Sequence, residues 1–171
     1  MRFTHQIFKQ NDNQLTDFIN TRVYHAFKME EKLIAPCGMN CGICKFHYRE
    51  KNQCPGCRAD DELKPLGCKT CKIVNCDLIK NNHAAYCFEC ENIPCRRLKN
   101  LDRRYYTKYH MSMLENLEYI KQHGIKSFLE KEEKKWTCPQ CDGVISCHGG
   151  ICLSCGYIQF TSPPSTTNIK N

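Results

Sequence analysis

The apolar residues of the chain follow helical spacing near its start and again in its later part, but not in between. Within residues 1–33, apolar side chains recur every three or four positions from Leu15 to Phe27, which predicts an amphipathic helix in an N-terminal extension. Residues 34–95 contain only short apolar runs, separated by Gly, Pro, Asn and Lys. This second segment is therefore predicted to consist of loops and short turns.

Residues 96–136 are mostly helix-forming and contain no cysteine. Ser112, with Glu115 three positions later, has the capping-box pattern, which predicts that a helix begins near Met113. Gly124 is placed to end that helix, since glycine is common just after a helical C-terminus. We therefore expect two short helices here instead of one long helix.

The remaining residues divide into a short β-forming unit and a polar tail. Residues 137–160 hold the stretches "VIS" and "YIQF", which we expect to pair as short strands behind a metal site. Residues 161–171 are polar and rich in Pro, Ser and Thr, which predicts a disordered tail. The whole pattern predicts a small metal-stabilised α+β fold: an irregular Cys-rich knuckle region, a short helical segment and a C-terminal zinc-ribbon β-hairpin.

The chain contains 16 cysteines, and their expected chemistry depends on the compartment. No apolar run is long enough to span a membrane, and the N-terminal residues lack the apolar stretch of a secretory signal. A cytoplasmic location is therefore expected, where thiols stay reduced. Under those conditions the cysteines are expected to bind metal ions and not to form disulfide bonds. An extracellular disulfide framework is the alternative.

The C-terminal unit has the spacing of a zinc ribbon. Two C-x2-C pairs stand ten residues apart, and each pair can supply two thiolates to one tetrahedral ion. These predicted ligands are Cys138, Cys141, Cys152 and Cys155. Cys147 and His148 lie in the intervening turn, and we interpret them as a spare thiol and a surface histidine.

The second segment holds eleven further candidate ligands: Cys37, Cys41, Cys44, Cys54, Cys57, Cys68, Cys71, Cys76, Cys87, Cys90 and Cys95. One partition joins the pair 41/44 to the pair 54/57 and the pair 68/71 to the pair 87/90. In another partition, the first three cysteines belong to one metal site, and each later cysteine is then assigned to a different site. Spacing alone does not choose between them. Three to four zinc ions in the whole chain are expected.

Cys37, Cys41 and Cys44 have the C-x3-C-x2-C spacing by which radical S-adenosylmethionine enzymes hold a [4Fe–4S] cluster. Such enzymes embed the motif in a βα barrel or partial barrel, which needs far more chain than the cysteine-rich loops here allow. A conventional [4Fe–4S] redox cluster on these three cysteines remains the alternative to zinc. Because no phosphate loop, nucleophile elbow or paired-carboxylate motif occurs, a binding module is favoured over an enzyme.

The formal net charge is +7, but it counts every cysteine as neutral. Sixteen thiolates holding four zinc ions would bring the net charge to about −1, so basicity alone is weak evidence for an acidic partner. The basic residues nevertheless concentrate in one stretch with tyrosines, a combination that suits single-stranded nucleic acid. The candidate nucleic-acid contacts are Arg96, Arg97, Arg103, Arg104, Tyr105, Tyr106 and Lys108. The alternative is a solvated helical face that offsets thiolate charge.

Several motifs, taken in their order along the chain, resemble those of a known family. The stretches "LIAPCGMNCGIC", "QCPGCR", "CKIVNC" and "CFECENIPCRR", with the helical segment and "WTCPQCDG", are similar to the cysteine-rich domain of unknown function 3795 over about residues 30–156. The resemblance implies an intracellular metal-binding protein with no assigned reaction and transfers no catalytic residue. Taken with the patterns above, it favours a multi-zinc structural or interaction module with a protein partner.

Overall fold

The computed structural model of the chain describes residues 28–160. The predicted helix from Leu15 to Phe27 and the predicted tail 161–171 lie outside these residues. The described helices and strands are α1 (Leu66–Lys69), α2 (Asp77–Lys80), α3 (Arg96–Tyr109), α4 (Met113–Trp136), β1 (Ile145–Ser146) and β2 (Ile151–Cys152). Helices plus one small antiparallel hairpin make this a small α+β structure.

The cysteine-rich segment is built from single turns. Four 3-10 turns and the four-residue helices α1 and α2 account for its regular structure; the turns span Cys41–Ile43, Lys45–His47, Asp61–Leu63 and Cys87–Glu89. A further 3-10 turn, Glu31–Leu33, precedes the segment. The predicted preponderance of loops is therefore confirmed for residues 34–95.

The start of α4 is fixed by a hydrogen-bonded cap. The Ser112 hydroxyl accepts a hydrogen bond from the Glu115 backbone N–H at 3.1 Å, as the capping pattern predicted. The same hydroxyl donates to Asp102 on α3 at 2.7 Å, and that carboxylate also accepts from the Leu114 backbone N–H at 3.1 Å. The cap therefore orients α4 against α3 as well as starting it.

Gly124 interrupts α4. Its backbone has φ 79° and ψ 166°, which is outside the helical region, so the span Met113–Trp136 consists of two helical halves. The predicted break at this glycine is confirmed. A residue with a side chain is strained in this conformation, which explains why glycine occupies the break.

The core lies between α3, α4 and the first cysteine-bearing loops. Phe128 and Trp136 of α4 and Ile34 and Ile43 of the loops are completely buried. A polar contact joins the same elements, because the Asn116 side chain donates to the Gly38 carbonyl at 2.9 Å. The loop comes so close to α4 that a Cβ on Gly38 would stand 2.8 Å from a helix carbonyl. The metal-binding loops thus pack directly on the helical segment.

The C-terminal hairpin pairs β1 with β2 in antiparallel register, with Ile145 opposite Cys152. The prediction that "VIS" pairs with "YIQF" is only partly right. β2 supplies the partner strand, while Ile158 adds one bridge to Ile151. The hairpin docks on the N-terminal loops through a hydrogen bond from the Cys147 N–H to the Ile43 carbonyl at 2.9 Å.

Within residues 28–160, none of the helices combines the length and the apolar character that crossing a membrane requires.

Candidate metal centres

The four predicted ribbon cysteines converge on one point. Their sulfurs all lie within 4.8 Å of one another, and we call them the ribbon quartet: Cys138, Cys141, Cys152 and Cys155. The Sγ–Sγ distances are 3.6 Å for Cys138 and Cys155 and 3.5 Å for Cys141 and Cys152. Zinc–thiolate bonds of about 2.3 Å in a tetrahedron place the sulfurs about 3.8 Å apart. The quartet therefore fits a single tetrahedral metal ion.

Backbone turns on both sides of the quartet prepare its sulfurs for a metal. The Asp142 N–H donates to the Cys138 carbonyl at 3.0 Å, and the Gly156 N–H donates to the Cys152 carbonyl at 3.1 Å. Burial opposes ionisation of the Cys152 thiol, but backbone N–H groups of Cys155 and Ser154 outweigh it and lower its pKa to about 7. A thiolate is the form that binds metal, so Cys152 is ready to bind near neutral pH.

A second group of sulfurs forms around the first three-cysteine motif. Cys41 Sγ lies 3.7 Å from Cys57 Sγ, and Cys54 Sγ lies 3.9 Å from Cys68 Sγ. Cys44 adjoins the second pair, since burial and then the thiolates of Cys54 and Cys68 raise its pKa. We call these five residues the N-terminal thiol cluster. Both distances match one edge of a zinc–thiolate tetrahedron.

The close sulfur contacts bear on the partitions that spacing left open. The contact of Cys41 with Cys57 joins the predicted pairs 41/44 and 54/57. Cys68 also contacts this group through Cys54. The Cys71 thiolate contributes to raising the pKa of Cys87, its counterpart in the other predicted grouping.

A third group surrounds a cavity of about 370 Å³ between α2, the Cys87–Glu89 turn and the start of α3. We call it the cysteine-lined cavity, because its wall includes Cys76, Cys87, Cys90 and Cys95. Burial raises the pKa of the Cys87 thiol to about 12, and the thiolates of Cys95, Cys76 and Cys90 add to the shift. These sulfurs therefore lie close enough to repel one another when ionised.

Cys37 is the first cysteine of the C-x3-C-x2-C motif. It is 5% exposed, and burial raises its pKa to about 12, with smaller contributions from the thiolates of Cys87 and Cys71. The thiolates of Cys41 and Cys37 both contribute to raising the pKa of Cys57.

All 16 cysteines fall within the described residues, and each is a free thiol. The close Sγ–Sγ contacts of 3.5 to 3.9 Å are far longer than a disulfide bond of about 2.05 Å. The described structure therefore contains no disulfide framework.

Cys147 is a thiol outside the ribbon quartet, as the sequence suggested, but it is buried, and His148 is half-buried instead of lying on the surface. Cys147 is 1% exposed, and its Sγ lies 3.3 Å from Nδ1 of His148. The His148 ring packs between Phe46, at a centroid distance of 5.5 Å, and Tyr109, at 4.7 Å. Burial lowers the pKa of His148, so it favours the neutral ring. Both residues form the joint between the hairpin and the N-terminal loops.

The candidate nucleic-acid residues occupy α3. Arg96, Arg97, Arg103, Arg104 and Lys108 are all exposed. Tyr105 is packed against the core and its pKa is raised by burial, whereas Tyr106 is half-buried. The helix therefore presents a cationic face whose tyrosines are largely turned inward.

A small α+β protein with a compact group of four cysteines that could hold a metal ion is the class that this fold and site define. Residues 33–100 match the family model described as "Protein of unknown function (DUF3795)", so the predicted resemblance is confirmed over these residues. The match includes every cysteine from Cys37 to Cys95 and ends before α4 and the ribbon quartet. No curated protein and no solved structure matches the chain.

Proposed function

We propose that the chain is a multi-zinc binding module in which bound metal fixes the fold and the exposed face of α3 contacts a partner. The ribbon quartet carries the proposal, since its four sulfurs are already arranged as the ligands of one ion. The two close sulfur pairs of the N-terminal thiol cluster support a second zinc site. The role of the metal is structural, because the quartet supplies four thiolates and so leaves no coordination position for a substrate.

Metal counting tests the structural role. In the Cys138→Ser/Cys152→Ser variant, we expect one zinc fewer per chain by elemental analysis and a lower thermal unfolding midpoint. Zinc binding to small thiolate sites contributes on the order of 10 kcal/mol, so loss of the ribbon fold should be evident in the proton NMR spectrum. The matched control is Cys147→Ser, a buried thiol outside the quartet, which should keep its zinc. Unchanged zinc content in the double variant would overturn the assignment.

The partner best suited to the α3 face is a protein with an acidic surface. Six exposed arginine and lysine side chains lie along this one helix, and Arg104 also lies over the Tyr105 ring at 5.7 Å. Guanidinium groups pair bidentately with carboxylates, which gives such a face both affinity and orientation.

Single-stranded RNA is the second candidate partner, favoured by the same exposed cations. Because Tyr105 is turned into the core, binding would depend on phosphate contacts rather than on a row of stacked bases. A salt titration with a uridine homopolymer tests this. Affinity should fall with salt, and Arg103→Ala/Arg104→Ala should reduce the slope of log K against log salt by about 1.4. The control variant is Lys121→Ala/Lys126→Ala on α4, whose slope should match that of the unaltered chain.

A further inference from the structure

The cysteine-lined cavity differs from the ribbon quartet in that its four cysteines border an open volume. A single zinc ion draws four thiolates into contact, about 3.8 Å apart, and leaves no volume among them. The ribbon quartet meets that condition, with all sulfurs within 4.8 Å. Among residues 28–160, Cys76, Cys87, Cys90 and Cys95 form no such compact group, and they border about 370 Å³ instead.

A [4Fe–4S] cluster needs the opposite arrangement from a zinc ion. Each of its four thiolates binds a different iron, so the sulfurs stand apart around an inorganic core. The wall of the cavity supplies four cysteines from three separate elements. Cys76 is the N-cap of α2, Cys87 and Cys90 flank one 3-10 turn, and Cys95 is the N-cap of α3.

The rest of the wall suits an anionic, oxygen-sensitive group. Ile79, Ala84 and Leu98 provide apolar surface, while Arg96 and Arg97 bring positive charge to the rim. A cluster bound by four thiolates is anionic, so the cations stabilise it and the apolar surface limits access of water.

The first turn of α3 adds a further favourable field. Cys95, Arg96 and Arg97 all border the cavity, and Cys95 caps this 14-residue helix without a side-chain hydrogen bond. The unpaired backbone N–H groups of a helical N-terminus favour an anion beside them. The cavity therefore combines four thiol ligands, cationic side chains and a helix N-terminus.

We propose that Cys76, Cys87, Cys90 and Cys95 bind an iron–sulfur cluster of the [4Fe–4S] type in the cysteine-lined cavity. This site uses neither the three cysteines of the C-x3-C-x2-C motif nor those of the ribbon quartet. The chain would then be a mixed protein, with zinc in the ribbon and an iron–sulfur cluster beside α3.

Anaerobic reconstitution of the full chain with ferrous iron and sulfide tests the proposal. The expected product is brown, contains about four irons and four acid-labile sulfides per chain, retains its ribbon zinc, and shows the Mössbauer parameters of a [4Fe–4S] cluster. A colourless protein that binds only zinc, with no sulfide, would overturn it.

Matched double variants locate the cluster. Cys87→Ser/Cys90→Ser should lose the iron and sulfide and keep the ribbon zinc. Cys138→Ser/Cys141→Ser should lose one zinc and keep the iron and sulfide. A cluster that survives the first substitution, or that is lost with the ribbon in a chain whose circular dichroism is unchanged, would contradict this assignment.

A variant that keeps all four cysteines distinguishes loss of the cluster from loss of the fold. Ile79→Trp adds bulk at the cavity wall, so it should reduce cluster incorporation several-fold while leaving every thiol available for zinc. Full incorporation of the cluster in Ile79→Trp would show that the group lies elsewhere. Zinc content, measured in the same samples, confirms that the ribbon remains folded.

Discussion

At the scale of single residues, a buried carboxylate joins the metal-binding loops to α4. Glu132 is 1% exposed, and its Oε2 accepts hydrogen bonds from the Asn40 side chain at 3.0 Å and the Trp136 indole at 3.1 Å. Asn40 precedes the ligand Cys41 and also accepts from the Gly42 N–H at 2.9 Å. The orientation of the first thiol loop therefore depends on a residue 92 positions away in sequence.

Glu132 should make stability depend on pH. Burial raises its pKa, while the Asn40 hydrogen bond and then the charges of Lys135 and Lys131 partly oppose the shift. Since the folded pKa lies above the unfolded value, the protonated form is favoured in the fold and the ionised form carries a penalty. The contribution of Glu132 to stability is complete below its unfolded pKa and is lost as pH rises through the folded pKa.

Glu132→Gln keeps an acceptor for Asn40 and Trp136 and removes the titration. We expect the free energy of unfolding of this variant, relative to the unaltered chain, to increase as pH rises above the unfolded pKa of glutamate. Urea unfolding at several pH values measures the difference. Glu130→Gln, at an exposed position of the same helix, should show no such trend. Glu132→Ala leaves two N–H groups without an acceptor and should cost about 1–3 kcal/mol for each.

At the scale of elements, α4 bends because its two halves pack against different parts of the molecule. Its first half packs against α3 through the Ser112 and Asp102 cap, and its second half carries Phe128 and Trp136 into the core. Gly124 separates these halves with a backbone conformation that other residues adopt only under strain. The direction of the second half, and with it the position of the ribbon, depends on this glycine.

Gly124→Ala should destabilise the protein by about 1–3 kcal/mol, because a Cβ is strained at φ 79° although no neighbouring atom lies within 4 Å of it. Thermal or urea unfolding measures the change. Gly67→Ala on α1 is the matched control, since its φ is unstrained and nothing lies within 4 Å. The control should be neutral or slightly stabilising. Equal stability of the two variants would show that the break in α4 is not required.

At the scale of the whole molecule, three groups of thiols are held around one helical core. The Cys87 N–H donates to the Pro36 carbonyl at 2.8 Å, and the Cys147 N–H donates to the Ile43 carbonyl at 2.9 Å. These bonds tie the cavity and the hairpin to the first loop. The cavity and the hairpin therefore share one backbone support.

Trp136 reports on the ribbon quartet. It is the single tryptophan of the chain, is completely buried, and lies two residues before Cys138. Cys138→Ser/Cys152→Ser should shift its fluorescence emission to longer wavelength, because loss of the ribbon exposes the indole to water. Cys87→Ser/Cys90→Ser should leave the emission unchanged. A red shift in both variants would mean that the ribbon and the cavity unfold as one unit.

The sequence alone determined the features that depend on short-range interactions along the chain. The Ser112 cap, the break at Gly124 and the loops of the cysteine-rich segment depend on residues close together along the chain, and the described structure confirms each of them. The two C-terminal C-x2-C pairs likewise converge on one point. The motif similarity of residues 33–100 was likewise evident from short stretches.

Only the tertiary structure decided which distant cysteines share a neighbourhood. Spacing is equally compatible with several partitions, because a loop of many residues can bring its ends to many places at similar entropic cost. Packing of the loops on α4 turned Cys68 toward Cys54 and left four other thiols around a cavity. Glu132 could have been suspected from its position midway between Phe128 and Trp136 on one helical face, but its partner Asn40 could not.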